Sequence, residues 1–153
     1  MNTPLLVVMV ILVLLSAFFS SAETAFSSLN KVRLKARENE KNSKKIQRTL
    51  KLSENYDMVL STILIGNNIV NIASTSIATL FFTGLLGDNS DLGATVSTVV
   101  MTIVVLIFGE ITPKTIAKEV AESYAVAISP VLKAFISVSY THLRAHETRR
   151  HLV

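Results

Sequence analysis

The chain of 153 residues contains no cysteine and no tryptophan, only three prolines and five glycines, and 17% charged residues. The lack of cysteine excludes disulfide bonds, zinc–thiolate sites and thiol catalysis. Soluble domains usually carry about 25% charged residues, so a chain that is 50% hydrophobic with a mean hydropathy of +0.48 is too apolar for that class. The same hydrophobicity excludes intrinsic disorder, which requires a low content of apolar residues.

Positive charge is concentrated in one segment of the chain. The formal net charge is +4, but residues 30–55 alone hold nine Lys or Arg against three Glu, whereas residues 56–138 are net −3. The basic segment lacks the interleaved aromatic residues that stack on nucleic-acid bases, so we expect no nucleic-acid partner. A basic loop beside an apolar segment instead indicates the cytoplasmic side of a membrane.

Three apolar segments predict an all-α membrane protein with three transmembrane helices plus juxtamembrane or interfacial helices. The spans cover about residues 4–24, 57–83 and 94–110, which fits the roughly 17 to 25 residues of a bilayer-crossing helix. A signal peptide is the alternative for the first segment. Such a peptide begins with a positively charged region, but no basic residue precedes Lys31. The positive-inside rule places the N-terminus outside and residues 30–55 and the C-terminus in the cytoplasm.

A further apolar segment, residues 121–138, is interrupted by Pro130 and Lys133. It could cross the membrane as a fourth helix or lie along the membrane interface. Its short length and central proline favour the interfacial position.

Polar residues inside the first two spans recur every three or four positions, so that each set shares one helix face. The two sets are Ser16, Ser20, Glu23 and Ser27 on the first span, and Asn67, Asn71 and Ser74 on the second. Lipid offers no hydrogen-bond partner to such groups. We therefore expect both polar faces to point inward, toward each other and the third span.

The end of the third span carries a proline. Pro113 has no N–H and cannot bond the carbonyl of Gly109 four residues back, which predicts a freed carbonyl beside the carboxylate of Glu110. Irregular backbone of this kind marks ion sites in transporters. The alternative is a proline-kinked helix end in which Glu110 pairs with Lys114.

The inward-facing groups are hydroxyls, amides, one carbonyl and one carboxylate, all hard oxygen donors. Such a set suits Mg²⁺, Ca²⁺ or Mn²⁺ rather than zinc or copper. Within the spans there is no Ser/His/Asp set and no glycine loop of the kind that binds phosphate. We therefore expect a cation-binding protein that is not an enzyme.

Three stretches of the sequence resemble the signature motifs of the transmembrane domain of the CNNM/CorC (HlyC/CorC-type) magnesium transporters. They are Ser16 to Phe26, Gly66 to Asn71 and Gly109 to Lys114, and the resemblance covers about residues 1–136. It implies a homodimeric domain in a bacterial-type plasma (inner) membrane, with three spans per protomer and a belt of juxtamembrane helices. It also implies Mg²⁺ export coupled to Na⁺ entry.

The resemblance further implies the ligands of a dehydrated Mg²⁺ between the spans. They would be the Ser20 hydroxyl, the amide oxygens of Asn67 and Asn71, the Gly109 carbonyl and the acid Glu110. Secondary candidates are Ser16, Glu23 and Ser74. The alternative function is a non-transporting membrane scaffold or Mg²⁺ sensor, in which the polar faces only hold the helices together.

The C-terminal part departs from the family pattern in two ways. Family members normally continue into a cytoplasmic pair of ATP-binding CBS domains, which does not follow here, so we expect a truncated chain. Residues 139–153 no longer resemble the family but resemble the translation of a sequencing adapter. We expect this segment to be a non-native tail.

Overall fold

The computed structural model describes residues 3–37, 43–86 and 90–147, with side chains to residue 138. Within these ranges every element is helical and no strand occurs, which confirms the all-α prediction. The elements are α1 (Thr3–Ser27), α2 (Lys31–Ala36), α3 (Ser43–Glu54), α4 (Tyr56–Leu86), α5 (Ser90–Val104), a π-helical segment (Val105–Ile111), α6 (Thr112–Glu119) and α7 (Ala121–Glu147).

Four regions of the described chain are long and apolar enough to cross a membrane. They are Thr3–Ser27, Tyr56–Leu86, Asp91–Glu119 and Ala121–Val138. Large apolar side chains such as Leu14, Ile69 and Ile72 are exposed on these helices, as expected where the neighbour is lipid rather than water. The chain is an integral membrane protein.

The first two long helices, α1 and α4, pack antiparallel along most of their length. Near the start of α1, Met9 clusters with Ala78 in the later half of α4. Near the end of α1, Phe26 shares the main hydrophobic core with Val59 at the start of α4. Between these contacts a Cβ on Gly66 would meet the ring of Phe19 at 2.6 Å, so the glycine allows the two helices to approach closely.

The third membrane-crossing region is longer than the predicted span of residues 94–110. It continues from α5 through the π-helical segment into α6, which ends at Glu119. Pro113 lies in the first turn of α6, where a missing N–H costs no hydrogen bond. A wider π turn precedes the proline, and in it the N–H of Thr112 donates to the carbonyl of Ile107 five residues back. The helical backbone therefore continues past Pro113 to Glu119, and the extent of the third span within the membrane stays a prediction.

The last helix, α7, crosses α1 at a steep angle. Tyr124 contacts Ser21 through a 2.7 Å hydrogen bond, and the ring of Phe135 lies 5.4 Å from that of Phe19. These contacts are about 16 Å apart along α7 but only about 3 Å apart along α1. Such a crossing favours the interfacial position over a fourth span, although the length of residues 121–138 permits either.

Helices α2, α3 and residues 121–138 of α7 form a layer, called the basic layer below, against the ends of α1 and α4. Leu34 of α2 clusters with Ile46 and Leu50 of α3 and with Val126 of α7. The backbone of α7 continues to Glu147, past the start of the predicted tail. Residues 148–153 lie outside the described residues, so the non-native tail stays a prediction.

Candidate cation site

The two predicted polar faces meet at Ser16. Its hydroxyl donates to Oδ1 of Asn71 at 2.8 Å and lies 3.3 Å from Oδ1 of Asn67. Ser16 is completely buried. Three oxygens from two helices therefore converge on one point in the interior of the helix bundle.

Two further hydroxyls lie on either side of this point. Ser20 is about 6 Å along α1 from Ser16, and Ser74 is about 5 Å along α4 from Asn71, in the opposite direction because the helices are antiparallel. Both serines are fully buried, and neither Oγ has a hydrogen-bond partner among the described residues. A buried hydroxyl without a partner costs about 1 to 3 kcal/mol and calls for an explanation such as a bound ion.

Gly109 is placed directly against this cluster by the π-helical segment. A Cβ on Gly109 would lie 3.0 Å from Oγ of Ser16 and 3.3 Å from the side chain of Val105. Single π turns inside helices occur frequently at functional sites. Here the segment brings the backbone of the third membrane-crossing region close to the α1–α4 contact, where a side chain would be tightly packed against Ser16.

We call these groups the polar junction. Its members are Ser16, Ser20, Asn67, Asn71, Ser74 and Gly109.

Glu110 faces a cavity that adjoins the polar junction. The cavity has a volume of about 250 Å³, and Asn71 lines it together with Glu110. Three hydroxyl side chains that the sequence analysis did not select, Thr75, Thr98 and Thr102, also line it. Thr98 and Thr102 are four residues apart on α5 and so share one helix face. The same spacing rule that selected the serines of α1 could have identified these two residues as candidates.

The alternative pairing of Glu110 with Lys114 is not present. Nζ of Lys114 lies 3.3 Å from Oε2 of Glu23, so the lysine binds α6 to α1 instead. Over the ranges whose side chains the structure describes, Glu110 has no ion-pair partner. Its carboxylate is therefore available to a cation, whereas Glu23, a secondary candidate, is already paired.

The structure separates one predicted member from the others. Ser27 is exposed at the end of α1, where its hydroxyl donates to the carbonyl of Thr24 in its own helix. The described residues contain no group of three or more His, Cys, Asp or Glu that could hold a metal ion. A cation at the polar junction would thus be bound mainly by neutral oxygens.

These features define a class of protein, an integral membrane protein in which three helical segments enclose a cluster of oxygen donors. Residues 7–145 match the model of the CNNM family, the cyclin M transmembrane N-terminal domain. The chain belongs to this family, which confirms the resemblance seen in the sequence. The match extends to residue 145, into the segment predicted to be a tail.

Relatives with the same kind of domain occur in bacteria and in plants. The chain is 40% identical over 136 residues to a UPF0053 protein of Haemophilus influenzae, covering 89% of this chain and 31% of that protein. It is 39% identical over 113 residues to the UPF0053 inner membrane protein YfjD of Escherichia coli, covering 72% and 25%. A chloroplastic DUF21 domain-containing protein of Arabidopsis thaliana, At1g55930, is 38% identical over 127 residues, covering 81% and 18%. The chain thus spans about a third of these relatives or less.

Proposed function

We propose that this chain is the transmembrane domain of a Mg²⁺ transporter that binds a dehydrated cation at the polar junction and exports it in exchange for Na⁺. The role is transport rather than enzymatic catalysis. The observation that carries the proposal is the buried hydroxyl of Ser20, which has no hydrogen-bond partner among the described residues, beside two amide oxygens that converge on Ser16.

The chemistry of the donors supports a small hard cation. Hydroxyl, amide and carbonyl oxygens are ligands that Mg²⁺ accepts, and Mg²⁺ is often bound by only one or two carboxylates. Glu110 is the one acid beside the junction, since Glu23 is paired with Lys114. A site with little formal charge can release its ion as well as hold it, which transport requires.

The position in the cell and the orientation belong to the same proposal. The Escherichia coli relative is named an inner membrane protein, which supports a bacterial plasma membrane for this chain. The net +6 of residues 30–55 supports a cytoplasmic basic layer. We further propose that the domain works as a homodimer and is joined to ATP-binding CBS domains, as the resemblance implies. The relatives are at least three times longer than the matched segment, which is consistent with further domains of this kind.

The test is Mg²⁺ flux in proteoliposomes carrying Asn71→Ala or Glu110→Ala. Each substitution removes an oxygen donor from the proposed path, so we expect each to reduce flux to the level of empty liposomes. Asn68→Ala and Glu119→Ala are matched controls, because both residues are exposed on the same membrane-crossing regions. We expect the controls to keep flux near that of the unchanged chain.

Full flux in both Asn71→Ala and Glu110→Ala would overturn the proposal. Should the unchanged 153-residue chain carry no flux, the same substitutions are made at the aligned positions of the full-length Haemophilus influenzae relative. Helical content and the elution volume in detergent show that the variants remain folded.

A second candidate function, a membrane scaffold or Mg²⁺ sensor that does not transport, is favoured by the hydrogen bonds of Ser16. They already connect α1 to α4 without any ion, as polar residues do in helix packing. Thermal unfolding in detergent with increasing Mg²⁺ distinguishes a simple scaffold from a protein that binds the ion. A specific ligand raises the melting temperature by mass action. A rise in melting temperature without flux would identify a sensor, and no rise with Mg²⁺, Ca²⁺ or Mn²⁺ would identify a scaffold.

A further inference from the structure

A basic pocket lies between α3 and α7, and none of its lining residues belongs to the polar junction. Its volume is about 330 Å³, and its charged lining residues are Lys44, Arg48 and Lys51 of α3 and Lys133 of α7. No acidic residue lines it among the residues that the structure describes. Four positive side chains therefore surround one small space.

The fold forces these like charges together. Lys44, Arg48 and Lys51 follow at intervals of four and three, so they share one face of α3. On other faces of α3, Ile46 and Leu50 are buried in the basic layer, which turns the charged face toward the pocket. Lys133 comes from α7, where its neighbour Leu132 is fully buried.

Nothing in the described part of the chain neutralises this cluster. None of the four basic side chains forms an ion pair there. Like charges four residues apart on a helix destabilise it, so the sequence tolerates a cost that a bound anion would remove.

The pocket lies where a membrane-crossing helix begins. Asn55, which lines the pocket, directly precedes Tyr56, the first residue of α4. Leu52, another lining residue, is buried in the main hydrophobic core with Val59 and Ile63. The pocket is thus at the level of the bilayer surface, where lipid phosphates lie.

We propose that this pocket is a binding site for a phosphate anion, supplied by the headgroup of an acidic phospholipid or by soluble phosphate. Arg48 offers a planar guanidinium that can donate two parallel hydrogen bonds to phosphate oxygens, and the lysines add positive charge around it. Basic pockets between helices on the cytoplasmic side of membrane proteins bind acidic headgroups in this way. The site does not depend on which ion the polar junction binds.

The test is native mass spectrometry of the purified chain in detergent, titrated with phosphatidylglycerol or with phosphatidylcholine. The pocket variant combines Lys44→Gln, Lys51→Gln and Lys133→Gln. The control variant combines Lys35→Gln, Lys45→Gln and Lys118→Gln, which removes the same charge from exposed lysines outside the pocket. We expect the pocket variant to bind phosphatidylglycerol at least about tenfold more weakly than the unchanged chain and the control to change by less than about threefold.

The remaining titrations distinguish the source of the phosphate. Loss of bound phosphatidylglycerol on adding millimolar inorganic phosphate would assign the site to soluble phosphate, and retention would assign it to the lipid. Equal weakening in the pocket and control variants would overturn the proposal, because it would show general attraction to a basic surface. Equal binding of phosphatidylcholine and phosphatidylglycerol by the unchanged chain, with no binding of inorganic phosphate, would overturn it as well.

Discussion

Buried hydroxyls are treated differently in the basic layer and in the polar junction. In the basic layer Ser53 donates to the carbonyl of Leu50 at 2.7 Å, and Thr49 donates to the carbonyl of Lys45 at 2.9 Å. Each such hydroxyl is satisfied by its own helix. In the polar junction Ser16 donates a hydrogen bond to Asn71 of α4, while the hydroxyls of Ser20 and Ser74 have no hydrogen-bond partner in the described part of the chain.

This difference in hydrogen bonding separates hydroxyls that only contribute to helix packing from hydroxyls that are candidates for binding a ligand. A serine that bonds its own helix is satisfied whatever lies beside it, so it needs no ligand and contributes little to specificity. A serine that is fully buried and unpartnered costs stability, and proteins carry such costs mainly at functional sites. The polar junction therefore gives up stability that the basic layer keeps, which is the physical ground for the proposal that a cation binds there.

The largest expected effect comes from closing the space in which α1 and α4 meet. Gly66→Ala would place a Cβ 2.6 Å from the Phe19 ring, which is held edge-to-face by Phe18 and Phe135 and has little room to move. We expect the free energy of unfolding to fall by about 1 to 3 kcal/mol through overpacking. The measurement is an SDS titration in mixed micelles followed by circular dichroism.

The control for this change is Gly84→Ala, at an exposed position of α4. It gains the better helix propensity of alanine without a clash, so its stability should not fall. Equal stability of the two variants would show that α1 and α4 are not in close contact at Gly66. The polar junction would then lose the helix spacing on which it depends.

The next expected effect is a smaller change in the free energy of unfolding, with opposite signs in the polar junction and in the basic layer. Ser20→Ala removes an unpartnered hydroxyl, so without divalent cations we expect it to raise the free energy of unfolding by about 1 kcal/mol. Ser53→Ala removes a satisfied hydroxyl from the basic layer, and we expect a loss of about 0.5 to 1.5 kcal/mol. The same SDS titration measures both.

Added Mg²⁺ sharpens this contrast. The unchanged chain and Ser53→Ala should gain stability as Mg²⁺ increases, because the ion binds only the folded state. Ser20→Ala should lose most of that gain. A Mg²⁺-dependent gain in Ser20→Ala equal to that of the unchanged chain would remove Ser20 from the ligand set.

The contact between the polar faces was predictable from spacing alone. Intervals of three and four place Ser16 and Ser20 on one face of α1, and the exclusion of polar groups from lipid turns that face inward. The same rule fails for Ser27, because α1 ends there and the residue is exposed. Spacing identifies a face, but it does not locate the end of the membrane.

The π-helical segment was not predictable in this way. The proline indicated that the α-helical hydrogen bond to Gly109 is missing, but a missing bond can be accommodated by a break, a kink or a wider turn. The choice depends on packing, and in the structure the wider turn places Gly109 against Ser16 while α6 continues to the Lys114–Glu23 ion pair. The steep crossing of α7 depends likewise on contacts distant in sequence, such as Tyr124 with Ser21.

The smallest expected effect compares two serines of the same predicted stripe. Ser16→Ala removes the hydrogen bond from α1 to Asn71 of α4, and hydrogen bonds between membrane helices contribute about 0.6 kcal/mol on average. Ser27→Ala removes only a bond to the carbonyl of Thr24 at an exposed helix end, so its unfolding free energy should stay within about 0.5 kcal/mol of the unchanged chain. A double-mutant cycle of Ser16→Ala with Asn71→Ala isolates the interhelical term. A coupling energy near zero would mean that the two groups do not interact in the folded protein, and the polar junction would then lack its central contact.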